Sequence, residues 1–326
     1  MKELEWVRTD CTDPWINLAM EEYLTFRARE GQVLLFLWQN ARTVVIGRNQ
    51  DPWRECRVET MKEEGCRLAR RISGGGAVYH DLGNLNFTFI ARDGWFDVNR
   101  QTEVILQAVR KLGIDAEKNG RNDLTAEGRK FSGHAYYQSG PYRYHHGTIM
   151  MDVDGDELAK YLNVSAAKLA SKGVASVRSR VANLTEFCPG LTRADMERSL
   201  LEAYEEVYGQ TGRETALPER SDPELQALIE KYSSEEWRYG RKIPFGVSFE
   251  GRFEWGGAEA RIEAKGGRIR EAKVYTDALD TELFRKMEED LKGARYDRET
   301  LRKMAEEYGE EEPPRAVLEM IVRQMQ

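Results

Sequence analysis

Residues 70–89 read RRISGGGAVYHDLGNLNFTF. Two arginines lead into three consecutive glycines, and two strand-like runs, AVYH and LNFTFIA, follow them. Such a glycine triplet tolerates positive φ and lets another group approach the bare backbone, with amide N–H groups left as donors. Arg70 and Arg71 add fixed charge in a bidentate geometry suited to phosphate or carboxylate. The spacing is neither the phosphate loop with its lysine nor the spaced dinucleotide fingerprint. Read alone, it is equally a flexible hairpin with two solvated arginines.

Outward from this stretch the chain alternates short strands with helices. Upstream, Asp13 is an N-cap and Pro14 a first helical residue for a helix that closes at Gly31, with Trp15, Leu18, Ala19, Tyr23 and Phe26 at helical spacing. VLLFLW and TVVIG are strands, a helix covers about 57–64, and CRLARRI is a strand entering the glycines. Downstream come an amphipathic helix at about 97–112 and a meander of short strands to about 153. Residues 155–210 read as helices around an irregular middle. Hairpins mixed with helices, without a βαβ repeat, predict an α+β fold. Pro244 with Gly240 and Gly246 marks a boundary, so the expected division is a large mixed-sheet domain over 1–245 and a small α+β unit over 250–326.

Composition narrows the function. The 326 residues carry 49 Lys+Arg against 56 Asp+Glu, a formal charge of −7, which argues against a dedicated nucleic-acid binder. The N-terminal residues contain no apolar signal region and no window is long enough to span a membrane, so a cytoplasmic protein is expected. Four cysteines, Cys11, Cys56, Cys66 and Cys188, lack zinc or redox spacing.

A second stretch, GRNDLTAEGRKFSGHAYY at 120–137, holds Lys130 just before a Ser-Gly turn. A lysine is a compact charge that can stabilise an oxyanion or a transferring phosphate, and equally an ordinary surface residue. Asn122 and Asp123 are turn residues or ligand contacts. His145 and His146 are neighbours on a strand and point to opposite faces, so at most one faces a given pocket.

Taken together, these strings resemble the lipoate–protein ligase A family of the biotin/lipoate protein ligase superfamily, in its bacterial two-domain form. DPWINLAMEEYL (13–24), VVIGRNQDPWREC (44–56), HHGTIMMDVD (145–154), YLNVSAAKLASKGVASVRSRVANLTEF (161–187) and FEWGGAEARIE (253–263) extend the likeness in order, from about residue 10 to about 280.

The resemblance implies an enzyme that joins lipoate to ATP with Mg2+, giving lipoyl-adenylate and pyrophosphate. It then passes the lipoyl group to a lysine of apo lipoyl domains in 2-oxoacid dehydrogenase complexes or of the glycine cleavage H protein. Lys130 matches the family lysine between lipoyl carbonyl and phosphate. Arg71, Gly76, Ala77, Val78, Tyr79, Asn122 and Asp123 are implied at the ATP site, with Asp123 also the first candidate for a magnesium or ribose contact. Arg70, Arg71, Gly75, Gly133, Ala135 and His146 are implied at the lipoate site, and Arg178 and Arg180 on a loop that closes over the adenylate. The small C-terminal unit, opening with a hairpin at Trp255, Gly256 and Gly257, is implied to be an accessory domain. A monomer is expected.

Two competing readings remain. A transferase of the same fold would use a cysteine nucleophile and no ATP, and only Cys188 lies downstream of Lys130. A non-catalytic adenylate-binding module would keep the pocket alone. A repressor would need a helix-turn-helix, for which the helix beginning at residue 13 leaves no room.

Overall fold

The computed structural model describes residues 3–120, 123–163, 181–240 and 246–325. In chain order the elements are β1 (Glu3–Arg8), α1 (Pro14–Phe26), β2 (Gln32–Trp38), β3 (Thr43–Ile46), α2 (Pro52–Glu55), α3 (Val58–Glu63), β4 (Arg67–Arg70), β5 (Val78–His80), β6 (Asn84–Arg92) and α4 (Val98–Lys111). Then follow β7 (Ala116–Asn119), β8 (Asp123–Ala126), β9 (Arg129–Ser139), β10 (Tyr142–Met150), α5 (Gly155–Tyr161), a 3₁₀ turn at Leu184–Glu186, α6 (Arg193–Tyr208), β11 (Arg213–Glu214), α7 (Pro223–Ser233) and α8 (Glu235–Tyr239). The last part holds β12 (Val247–Phe253), β13 (Gly256–Lys265), β14 (Arg268–Thr276), α9 (Glu282–Leu291), α10 (Arg298–Glu307) and α11 (Glu312–Gln324).

The fold is α+β. A mixed sheet runs β11-β1-β2-β6-β10-β9-β8-β7, with β1 parallel to β2 and β11 and the remaining pairs antiparallel. Strand β6 explains how one sheet serves two purposes. Its period of two sends Leu85, Phe87 and Phe89 into the core under α4 and α6, while Asn86 and Thr88 face the side covered by α1. A small sheet β4-β3-β5 stands beside it and carries the glycine loop between β4 and β5.

The local signals behave as their chemistry requires. Asp13 Oδ1 accepts from the amides of Trp15 and Ile16, a cap worth about 1 kcal/mol. The helix ends at Phe26 rather than at Gly31, because Gln32 begins a strand that pairs with β1 and the chain needs residues 27–31 for the turn. The meander is real, but β9 and β10 are long, 11 and 9 residues.

Residues 246–325 form a three-stranded antiparallel sheet, β12-β13-β14, covered by α9, α10 and α11 around its own core of Phe249, Ile262, Val274, Phe284 and Ile321 among others. The expected hairpin is present, with Phe253 paired to Gly256. Pro244 lies outside the described residues. This unit is docked on the large one. Arg261 bridges to Asp51 at 2.9 Å, Arg54 to Glu259 at 2.6 Å, and Thr276 N donates to Asn49 O.

Candidate active site

The glycine loop is held by an arginine from within. Arg71 Nε donates to Ser73 Oγ and Gly74 O, one terminal nitrogen to Gly74 O and Gly76 O, and the other to Val45 O. Burial pushes its guanidinium down to about 10, so it is still charged at neutral pH. Each glycine meets a different demand. A Cβ on Gly74 would lie 2.1 Å from Ala278 O, so this glycine admits the C-terminal unit. Gly75 has φ +88 and donates its N–H to Ala278 O at 3.1 Å. Beside Gly76 a Cβ would meet nothing within 4 Å, which leaves that backbone open to the cavity.

That cavity, about 400 Å³, lies between the glycine loop, the first half of strand β9, strands β6 and β10, and the C-terminal unit. Its lining includes Arg71, Gly75, Gly76, Ala77, Val78, Asp123, Lys130, Gly133, Ala135 and His146, the greater part of the residues implied by the family likeness. Lys130 Nζ lies 2.7 Å from Asp123 Oδ1 with both side chains partly exposed, 39% and 44%. In the β8–β9 register Asp123 pairs with Gly133 and Lys130 with Thr125, with a shift between Leu124 and Thr125, so the two side chains meet diagonally rather than as direct partners. Gly133 serves the lysine: a Cβ there would meet Lys130 Nζ at 2.9 Å.

Several implied residues are elsewhere. Arg70 does not line the cavity. Its guanidinium is buried and donates to the carbonyls of Gly47, Arg48, Gln50, Trp237 and Arg238, so it ties α8 and the loop after β3 together. Burial, uncompensated by a contacting carboxylate, pushes it down to about 10. Tyr79 points to the opposite face from Val78 and packs on Tyr161 in a separate core cluster. Asn122, Arg178 and Arg180 lie outside the described residues.

The histidines divide as alternation requires. His146 faces the cavity, its Nδ1 2.8 Å from Glu21 Oε1 and its Nε2 2.8 Å from Ser73 Oγ. His145 turns to the other side, between Gln101 and His134. Sequence reading missed Glu21, Trp38, His80, Asn86 and Thr148 near or in the lining, and Glu254, Asp277 and Leu279 from the C-terminal unit. The polar alternation in NLNFTF was the available signal for Asn86. Glu21, three residues after Leu18 on the buried face of α1, was the other.

No group of three or more His, Cys, Asp or Glu side chains that could cage a metal occurs among the described residues. None of the cavity's described lining residues is a cysteine. Cys188 packs beside the core under α4 and α6, and burial pushes the Cys66 thiol up to about 12 and the Cys56 thiol higher still. No helix among the described residues is long and apolar enough to cross a membrane.

A mixed sheet flanked by a glycine loop and a lysine-bearing cavity defines the fold class, and comparison with known proteins supplies the family. The family model of the lipoyl protein ligase A/B catalytic domain matches residues 13–205, and that of the bacterial lipoate protein ligase C-terminus matches residues 242–322. The chain belongs to the lipoate–protein ligase family. Among solved structures, P. falciparum LipL1 in complex with lipoate is 25% identical and aligns over 99% of this chain and 100% of that one, with a TM-score of 0.86. A bipartite lipoate protein ligase of Thermoplasma acidophilum, studied with its E2 lipoyl domain, is 30% identical over 75% of this chain and 100% of that one, TM-score 0.66. A lipoate-protein ligase A bound with ATP is 28% identical over 74% of this chain and 99% of that one, TM-score 0.64.

Proposed function

We propose that the protein is an ATP-dependent lipoate–protein ligase in which residues 1–245 are the catalytic domain and 250–326 the accessory domain. The observation that carries this reading is Lys130. It is a partly exposed cation at the outer part of a cavity whose inner part is enclosed by Leu18, Trp38 and Val45. An apolar chain enters the inner part, and its carboxylate and a nucleotide phosphate meet at the lysine.

In the first step a carboxylate oxygen attacks the α-phosphorus of ATP and pyrophosphate leaves. Lys130 exchanges Asp123 for the α-phosphate and the acyl oxygen, stabilising charge that develops there. In the second step the amine of an acceptor lysine attacks the acyl carbonyl and AMP leaves, with Lys130 still beside the departing phosphate. The open backbone at Gly76, with Ala77 and Val78, borders the nucleotide, while Arg71 acts through the loop it braces. Gly75, Ala135 and His146 bound the acyl site.

The donors present fit a magnesium ion that keeps its waters and substrate phosphates: one exposed carboxylate, Asp123, with no all-protein cage among the described residues. Mg2+ there would neutralise phosphate charge. Acceptors are apo lipoyl domains of 2-oxoacid dehydrogenase complexes and the glycine cleavage H protein, and the setting is a cytoplasmic monomer. Arg178 and Arg180 would close over the adenylate. The cysteine-dependent alternative finds no support in the described lining residues, none of which is a cysteine.

Intact mass of an apo lipoyl domain, after incubation with this protein, lipoate and Mg2+ with and without ATP, tests the proposal. A lipoyl gain only with ATP is expected. A gain from an octanoyl carrier protein without ATP would replace it with the transferase.

A further inference from the structure

Four buried side chains form one hydrogen-bonded line behind the glycine loop. Glu21 comes from α1, His146 from β10, and Arg71 and Ser73 from the segment between β4 and β5, each at most 7% exposed. Glu21 Oε1 lies 2.8 Å from His146 Nδ1, His146 Nε2 lies 2.8 Å from Ser73 Oγ, and Arg71 Nε donates to Ser73 Oγ at 3.0 Å. Carboxylate, imidazole and hydroxyl in this order have the form of a nucleophilic triad. Ser73 is fully buried and absent from the cavity's described lining, so no substrate reaches its oxygen. The line braces; it does not attack.

It also has a direction. A carboxylate only accepts, so Glu21 receives the Nδ1 proton of His146. In the neutral ring Nε2 then accepts the Ser73 hydroxyl proton, and the Ser73 oxygen is left to accept from Arg71. The carboxylate is fixed from the sheet, because Thr88 Oγ1 donates to the same oxygen at 2.6 Å and accepts from Trp38 Nε1 at 3.0 Å.

At the far end Arg71 spreads the constraint, donating from one terminal nitrogen to Gly74 O and Gly76 O, both at 2.7 Å. Three successive glycines have no side chains by which to be held and lose much conformational freedom on ordering. A buried, mutually polarised hydrogen-bond line supplies the missing rigidity. We propose that Glu21 is a positioning residue for adenylate formation: acting through His146 and Ser73, it sets the Arg71 guanidinium and so holds the backbone at Gly76 in the shape that borders the nucleotide. Both ring nitrogens of His146 are engaged in the line, so this role is separate from any contact with the acyl chain. It rests on the reading of the cavity given above.

The test uses the full chain with Glu21→Leu, Glu21→Gln, Ser73→Ala and the Glu21→Leu/Ser73→Ala double variant. Pyrophosphate release gives kcat and KM for ATP, and calorimetry gives Kd for lipoate. Hydrogen exchange reads the amides of Arg48 and Gly75, which bond to Ser73 O and Ala278 O. Glu21→Leu is expected to lose about tenfold in kcat/KM for ATP, as for one buried hydrogen bond, with lipoate Kd within about twofold of native and faster exchange at both amides. Glu21→Gln, whose carbonyl oxygen still accepts from His146, is expected to recover most of that loss. Ser73→Ala breaks the same line at a smaller side chain and carries the same expectation should Glu21→Leu not fold. The double variant is expected to be no worse than the poorer single one, whereas independent roles would multiply to about a hundredfold. Multiplied losses, native turnover in both single variants, or a loss confined to lipoate binding each overturn the inference. A native protein that forms no adenylate would defeat the ligase reading alone; faster exchange at Arg48 and Gly75 in the variants would then uphold the line, and unchanged exchange would overturn it.

Discussion

Gly75 N–H donates to Ala278 O at 3.1 Å, so the glycine loop and the C-terminal unit share a hydrogen bond at the rim of the cavity. One residue earlier, the space a Cβ would need at Gly74 is taken by backbone, with Ala278 O at 2.1 Å and Leu279 O at 2.5 Å. The loop is therefore shaped for a docked neighbour as much as for a ligand.

Gly74→Ala should separate these two uses. Neither carbonyl can yield without shifting the segment at 278–279, so overpacking costs about 1–3 kcal/mol or the C-terminal unit moves off. Hydrogen exchange at Gly75 and Thr276, whose amides bond to Ala278 O and Asn49 O, should rise in the variant while exchange in β6 stays slow. Unchanged protection at both amides would show that the contact does not hold the two units together.

Lys130→Ala should fold and fail in catalysis. Its ion pair with Asp123 is exposed enough to contribute at most about 1 kcal/mol to stability. Removing a cation from developing charge in such a site costs about 10²–10³ in rate. Pyrophosphate release on mixing lipoate and ATP reads this directly. A variant within a few-fold of native would move the assignment elsewhere.

Much of this arrangement was legible in the chain, and the failures have identifiable causes. Asp13 and Pro14 mark the start of α1 because capping is local chemistry, and Phe253–Trp255–Gly256 form their hairpin for the same reason. Alternation separated His145 from His146 correctly. The family resemblance implies both Arg70 and Arg71 at the pocket, and a charged pair in sequence gives no sign that five carbonyls converge on one member. The strand β1 carries no local motif and owes its place to pairing with β2, whereas α7 begins with an Asp222–Pro223 cap like that of α1, a local signal the sequence reading did not use. Asp277 and Leu279 reach the cavity only because a separate core docks there.

Cys188→Ser is expected to leave lipoyl transfer within about twofold of native, since the residue packs beside the core under α4 and α6 and is absent from the cavity's described lining. Mass gain of an acceptor domain over time is the measurement. Loss of transfer in a folded variant would revive the thiol mechanism.

Stability should fall early on acidification, and the buried histidines set the window. Burial lowers His80 and His134 to about 3, and His145 well below its usual value, from an unfolded value of 6.5. Between about pH 6.5 and 3 the unfolded chain therefore binds protons that the folded one refuses, so stability is full above 6.5 and is lost as pH drops. Each histidine contributes a slope of about 1.4 kcal/mol per pH unit, and three acting together give about 4 kcal/mol between pH 6 and 5. Glu288, whose carboxyl burial raises, opposes this because its folded state takes up a proton first, while Glu5, lowered despite burial by hydrogen bonds from Arg213 and Gln32, adds to the loss below 4.5. Urea midpoints at pH 7, 6 and 5 would follow the curve, and His134→Asn should flatten it by about one third if that ring titrates as its burial requires. A midpoint unchanged from pH 7 to 5 would mean that these rings gain protons inside the folded protein.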